Sequence, residues 1–531
     1  MLLISASCFE RMSSSFNIRF NDNKHTTHPE ASSSHNSPYN DQAEYEQLLS
    51  KENGISHEKK QTIDNYDNRS PGKGLGSCGT AINTIKCSVG AGILSFPYAF
   101  QLAGWLGAVV AYLTILLPVL YCLHTIGTVR CMIIEDKVRN DKMTGLRADP
   151  SITEDEVKRL ATESREYLEY PDLAERAVGR GLRRIVASFV LLGQIGCCSA
   201  YVIFMANNLY TIGQQVTMIS TLPRFVYIVA LLPLLVCLSF VKTLRGLMPI
   251  AVFGTILLVA GLSIVCIHGF QVAAHENRVV VFPPMIGDNV VVCIGIMLFA
   301  MEAVNQMPAL QASMTKPSKF PFVLNSSMFA LTFIYLGVGI VGASLYGKNT
   351  DSVITQNMGT SVLGYTARGL FVLMLLSTFP FQMFPAGVIM ERWFKPTDAS
   401  GNVDENAFEN RRNQSTCYSL LTNFYTVRIF LCLVVAGLAI SFDNFGKFLS
   451  LIGYPCMGTL GLVIPPLMCL SLDMRSKEGR LSYLDRIMCW VIMCFGAIGC
   501  IIGTVYSVAE MMKVNGGRDG VFQAVNKFLL R

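Results

Sequence analysis

From residue 79 onward the sequence is a succession of apolar blocks of about twenty residues, separated by short charged stretches, and this rhythm leaves few folds open. A helical block of that length spans the hydrocarbon core of a bilayer, and backbone groups in lipid are satisfied only inside helices or closed barrels. Candidate spans fall near 79–102, 105–131, 184–211, 224–241, 247–269, 288–311, 321–346, 363–391, 424–441, 445–471 and 484–511. The expected fold class is therefore an all-α multi-pass membrane protein with about 11 transmembrane helices. Composition agrees: 51% of residues are hydrophobic and only 15% charged, too little charge for a soluble chain of 531 residues.

Residues 1–76 break the rhythm. They are rich in Ser, Asn, Asp, Lys and Glu, lack periodic apolar positions, and are expected to be a disordered tail. The opening MLLISASCFERMSSSF has neither a basic segment nor a long apolar core, so it does not read as a signal peptide and the tail is expected to stay cytosolic. Alternate loops should then be basic. Those carrying Arg139 to Arg184, Lys242 and Arg245, Lys316 and Lys319, Arg392 to Arg412, and Arg475 to Arg480 meet that rule. The opposite loops offer little beyond Arg224, Arg278, Lys348 and Lys447. The expected organisation is a cytosolic tail over 1–76, a membrane domain over 77–512 with a cytosolic loop at 132–183 between the second and third spans, and a short carboxyl-terminal tail over 513–531. In that loop ITEDEVKRLATESREYL places Ile152, Val157 and Leu160 on a weak apolar stripe; an amphipathic helix and a solvated charged loop both fit.

Most of the seventeen cysteines, Cys122, Cys197, Cys198 and Cys293 among them, lie inside apolar blocks, where they act as small hydrophobes rather than a disulfide framework. The net charge of +6 is spread over loops, which gives nucleic-acid binding no support. Gly74 to Gly79 matches the GxGxxG dinucleotide pattern without a preceding strand, and Gly342 to Lys348 falls one residue short of a P-loop and is followed by Asn349 instead of Ser or Thr. Both are chance matches. No zinc spacing, nucleophile elbow or His–Cys arrangement appears, so neither an enzyme, a metal nor a cofactor is expected. In the tail, Glu44 with Leu48 and Leu49 fits an acidic dileucine sorting signal that adaptor proteins could read.

The most informative segment is Lys86-Cys87-Ser88-Val89-Gly90-Ala91-Gly92-Ile93-Leu94-Ser95-Phe96-Pro97, which puts two glycines and a proline in a helix that must cross lipid. Freed backbone at membrane depth is tolerated where it lines a cavity, and a half-helix amino terminus offers unpaired N–H groups to an anion such as an amino-acid carboxylate. The other reading is that Gly90 and Gly92 only allow close helix packing. Two ionisable residues also stand inside spans. Glu302 is a candidate for coupling or gating, against a structural hydrogen-bonded carboxylate, and His124 is a candidate proton relay, against a packing histidine. Ser199 and Tyr201 could line a pocket or simply pack.

With these segments in view the sequence resembles the amino acid/auxin permease family, and within it the proton-coupled amino acid transporter branch. The resemblance is carried by KCSVGAGILSFPYAF and AGW in the first span, QIGCCSAYVIF in the third, LFAMEAVNQMP in the sixth, LYGKNTDSVITQNM after the seventh, TFPFQMFPAGVIMER in the eighth and LSLIGYPCMGTLGLVIPPLM in the tenth. It implies a LeuT/APC-like 5+5 inverted repeat, with helices 1 and 6 broken around a central site and the eleventh span peripheral. It also implies a carrier of small neutral amino acids working by alternating access, coupled to protons. Ser88, Gly90, Ala91, Gly92, Ser199, Tyr201, Phe299 and Ala300 are the implied substrate residues, and Lys86, Glu302, His124, Ser377 and Thr378 the implied coupling or gating residues. Lys86 takes the place of an asparagine that helps bind sodium in sodium-coupled relatives, and is expected to bond the freed carbonyls and Ser377 or Thr378; snorkelling to headgroups is the alternative. Two positions depart from the pattern: Ala303 replaces the glycine after the sixth-span glutamate, and Asn83 replaces a histidine associated with proton coupling. A sodium-coupled carrier and an amino-acid-sensing receptor of the same fold remain alternatives. Family members' addresses suggest an endosomal or lysosomal membrane, or the plasma membrane.

Overall fold

The computed structural model describes residues 75–144, 154–164, 166, 168–215, 222–241, 248–275, 283–393, 423–476 and 479–514. Glu44, Leu48, Leu49 and Ile152 lie outside the described residues. Nine helices among the described residues are long and apolar enough to cross a membrane. The shorter apolar helix Arg224–Ser239 and an interrupted segment from Ser77 to Ala103 complete the eleven spans. In chain order the second to fifth spans are Trp105–Thr144, Arg180–Gly213, Arg224–Ser239 and Met248–His275. The seventh to ninth are Phe320–Tyr346, Val362–Trp393 and Phe424–Ser441. The tenth runs from Phe445 to Arg475 and the eleventh is Tyr483–Val514.

The chain divides into two compact units. The smaller takes the described parts of Met1–Ala81, Arg130–Leu168 and Ala309–Asn325. In it Val157 and Ala161 of the helix Glu154–Glu163 pack on Ile134 and Val138, with Leu160 beside them, so the weak stripe forms an amphipathic helix because an apolar partner is available. The fully buried Arg130 donates from Nη2 to the carbonyls of Ser164 and Glu166 at 2.8 and 2.9 Å, and Lys137 pairs with Glu166 at 2.9 Å. Leu75 joins the stretch after the sixth span by two backbone bonds of 3.0 Å, its N–H donating to Ser313 and its carbonyl accepting from Thr315.

The larger unit comprises the described parts of Ile82–Val129, Glu169–Pro308 and Ser326–Arg531. The third span is its axis: 83% of its apolar window is buried, against 28% for the eleventh. Small residues let helices approach closely in the absence of a hydrophobic drive between them. Gly261 of the fifth span faces the Phe371 ring of the eighth, Gly254 faces Ser377, and Gly196 of the third faces Ile452 of the tenth. Across the tenth span, Gly453–Val463 forms a π-helix, a wider turn closed by i to i+5 bonds. The eleventh span is peripheral on one face only. Trp490, Phe495 and Ile501 are exposed as lipid-facing residues would be, while the other face bonds Ser507 to Ser450 at 2.8 Å, Glu510 to Lys447 at 3.0 Å and Tyr506 to Asn289 at 3.2 Å.

Candidate functional site

The first span runs as helix from Ser77 to Ser88 and stops. Gly90 is extended (φ −107°, ψ −158°), Ala91–Ser95 form a short 310 turn, and a second half-helix, Phe96–Ala103, follows with Pro97 in its first turn, where a missing N–H costs nothing. The sixth span repeats the plan five spans later. Its helix Val290–Ala300 ends at Met301 (φ −95°, ψ 31°), Glu302–Gln306 form a 310 turn, and Met307–Ala312 close it. Ala303, an alanine at the family's glycine position, has not kept this helix continuous.

The two breaks meet. A Cβ built on Gly92 would stand 3.0 Å from both Cα and Cβ of Ala300, so glycine here permits the approach of one broken backbone to the other. The Tyr335 hydroxyl, from the seventh span, lies 2.6 Å from the Ser88 carbonyl and 3.2 Å from the Ala300 carbonyl. Its ring stacks on Phe96 at 4.6 Å, and Tyr112 meets Phe96 edge-on at 6.2 Å. A cavity of about 20 Å³ adjoins these groups, lined by Ser88, Tyr112, Ala300, Met307 and Tyr335 among others; it is of the size of one water. A second tie joins the far ends of the two spans. The amides of Gly287 and Asn289 donate to Ala103 and Leu102 at 2.8 and 3.1 Å, around Gly104, whose φ of 75° few other residues adopt.

Other expected site residues are placed more unevenly. Ser88 Oγ donates to its own helix at Thr84, and Ser199 Oγ to Ile195, so each oxygen is left with acceptor capacity alone. Tyr201 is fully buried and accepts a 3.3 Å bond from Gln382, linking the third and eighth spans. Phe299 is buried beside Ala300. Lys86 does approach the eighth span, but its Nζ lies 5.8 Å from the centroid of the Phe381 ring, and its expected bonds to Ser377 and Thr378 are not formed. Both hydroxyls turn back onto the Met374 carbonyl, at 2.6 and 2.8 Å, which helical Ser and Thr readily do. His124 is half-buried on the second span. Glu302 opens the sixth-span 310 turn.

A larger polar cavity of about 490 Å³ lies against the third span's carboxyl end, lined by Asn207, Thr211, Asp351, Gln356, Lys447 and others. Arg224 there pairs with Asp443, and the 310 turn Ile354–Met358 is held by Asn208 on Thr355 and Thr211 on Gln356 (2.9 Å). Ser95, in the first break, donates to the Ser352 carbonyl at 2.7 Å and ties this turn to the site.

Sequence reasoning missed Tyr335, Arg368 and Arg428. Each is at most 2% exposed inside an apolar span. For the arginines the signal was the one that picked out Glu302, a charge inside an apolar block; for Tyr335 there was only a hydroxyl amid aliphatic neighbours.

A bundle of apolar helices in which the first and sixth spans are both interrupted and meet at their breaks defines a multi-pass integral membrane transporter. The family model described as transmembrane amino acid transporter protein matches residues 75–143 and 152–509, and the chain belongs to that family. Amino acid transporter AVT3B of Arabidopsis thaliana is 25% identical over 82% of this chain and 93% of its own length. Vacuolar amino acid transporter 4 of Saccharomyces cerevisiae is 27% identical over 64% of this chain and 49% of its own. Proton-coupled amino acid transporter-like protein pathetic of Drosophila melanogaster is 24% identical over 83% and 86%. The solved structure of MhsT in complex with L-phenylalanine aligns with 82% of this chain at 12% identity and a TM-score of 0.45.

Proposed function

We propose that this amino acid transporter carries small neutral amino acids by alternating access, coupled to protons and independent of sodium, in an endosomal or lysosomal membrane with the 1–76 tail in the cytosol. The observation that carries the reading is the meeting of the two breaks at Gly92 and Ala300. The first helix stops at Ser88 and resumes at Phe96 across the extended Gly90 and the turn Ala91–Ser95, and such a break suits a substrate carboxylate. The methyl of Ala303, 2% exposed, stands where the resemblance has a glycine and supports a small substrate. The names of the yeast and Drosophila relatives support the endomembrane address and the proton, and the dileucine at Leu48 and Leu49 supports the address.

Sodium independence rests on Lys86. An ammonium held over the Phe381 ring supplies a fixed positive charge beside the first break, where sodium would meet electrostatic repulsion. Uptake of a panel of amino acids into proteoliposomes is expected to rise with an imposed proton gradient and to stay unchanged when sodium is replaced by choline. Lys86→Ala should lower uptake by about tenfold or more. Steep dependence on external sodium at fixed pH and membrane potential would overturn the proposal, and binding without labelled-substrate counterflow would make the protein a receptor. Glu302 is assigned the exchanging proton. Glu302→Gln should therefore impair pH-driven accumulation more than exchange between equal pools, which needs no net proton movement; equal loss of both would assign it a structural role.

A further inference from the structure

We propose that Tyr335 is the positioning residue that links the two helix breaks, sharing a single hydroxyl hydrogen between them. Ser88 and Ala300 are the last residues of their half-helices, so each carbonyl lies past the intrahelical ladder at the negative end of a helix dipole; that of Ser88 also accepts from the Gly90 amide at 3.2 Å. In a water-poor interior such groups must be satisfied or they cost stability. Both converge on one phenol oxygen, at 2.6 Å for Ser88 and 3.2 Å for Ala300. A phenol has one hydrogen to give, so only one carbonyl receives a strong bond at a time. The shorter distance assigns it to Ser88 in this conformation.

The oxygen is held in place by its ring. Tyr335 is 2% exposed, and its ring lies nearly parallel to that of Phe96, with 15° between the planes. Phe96 begins the half-helix beyond the first break, so the seventh span grips the first break from both sides. A movement of either break relative to the other must lengthen one of the two contacts. Passing the hydrogen from Ser88, which keeps the Gly90 amide, to Ala300 lets the rearrangement proceed with the phenol still bonded to one of the two breaks. This role rests on the carrier reading and adds to it a residue of the seventh span outside the substrate and coupling set.

Tyr335→Phe keeps the ring and removes the hydroxyl. In purified full-length protein, its maximal uptake rate should fall by about tenfold, the rate equivalent of one buried hydrogen bond, while KM changes little. Amide hydrogen exchange should rise together in peptides covering 86–93 and 299–306. If ring packing alone matters, Tyr335→Phe will match the unmutated protein, and that result overturns the proposal, as does raised exchange at one break only. Should Tyr335→Phe fail to fold, ring-fluorinated tyrosine at 335, which keeps the shape but makes the hydroxyl a stronger donor, is the second variant. A changed maximal rate at an unchanged melting temperature is expected, and an identical rate counts against the tie. Absence of uptake by the unmutated protein would remove the carrier reading, while the exchange measurement would still decide whether Tyr335 joins the breaks.

Discussion

Gly92→Val is expected to reduce amino acid uptake to background while the protein is still made and inserted. Even the first side-chain carbon would lie 3.0 Å from the Ala300 backbone, and the neighbour that must give way is main chain in the sixth-span break. Overpacking a buried contact costs about 1–3 kcal/mol where side chains can shift, and valine adds two methyl groups beyond the one that already collides. The first and sixth breaks would be forced apart, disturbing both 310 turns at once. Gly92→Ala should retain partial activity, because a displacement of a few tenths of an ångström relieves a single Cβ contact. Uptake in proteoliposomes, normalised to monodisperse protein in detergent, is the measurement. Normal transport by Gly92→Val would leave the glycine as a packing residue with no bearing on the site.

Arg428→Met is expected to cause the largest loss of stability, about 3 kcal/mol or more. The guanidinium is 1% exposed, lies 3.3 Å from Glu391, donates to the carbonyls of Met383 and Phe384 at 3.0 and 3.3 Å, and stands over the rings of Phe384 and Phe424. Gly387 leaves the space it fills. Methionine matches much of the volume but leaves the Glu391 carboxylate, 22% exposed, without its cation and two carbonyls without their donor. Gly387→Ala attacks the same contact from the other side by pushing the guanidinium out. Thermal unfolding followed by size-exclusion chromatography should show a marked fall in midpoint for both; midpoints equal to that of the unmutated protein would mean that lipid or water replaces the pair at no cost.

The span rhythm was legible in the sequence because lipid permits only one answer to twenty consecutive apolar residues. The first break was legible too, since glycine and proline at Gly90, Gly92 and Pro97 write it into local propensity. The sixth break was expected from the family resemblance alone: MLFAMEAVNQ holds neither glycine nor proline and Ala303 argues for continuity, with Pro308 following in the first turn of Met307–Ala312. What accompanies that break is tertiary: Gly92 packs at Ala300, and the Tyr335 hydroxyl lies 3.2 Å from the last helical carbonyl. The amphipathic helix Glu154–Glu163 was open between two readings because its stripe is weak, and only the apolar partners Ile134 and Val138 decide it. Ser377 and Thr378 were expected to face Lys86 on the strength of resemblance, but a hydroxyl in a helix always has a nearby carbonyl of its own. Arg368 and Arg428 were passed over because a single charge hardly changes the hydropathy of a long apolar window.

The wide turn at Gly453–Val463 also bears on how the length of this chain can drift in evolution. In an ordinary helix the loss of one residue rotates everything beyond it by about 100°, which would turn the buried face of the rest of the tenth span toward the wrong neighbours. A π-helix holds more residues per turn than an α-helix, so a single deletion within 453–463 can be absorbed by tightening to α geometry. Ser450 and Lys447 on one side and Asp473 on the other would then keep their partners on the eleventh span and its preceding loop. The tenth span is thus the place where this bundle can gain or lose a residue with its helices still in register.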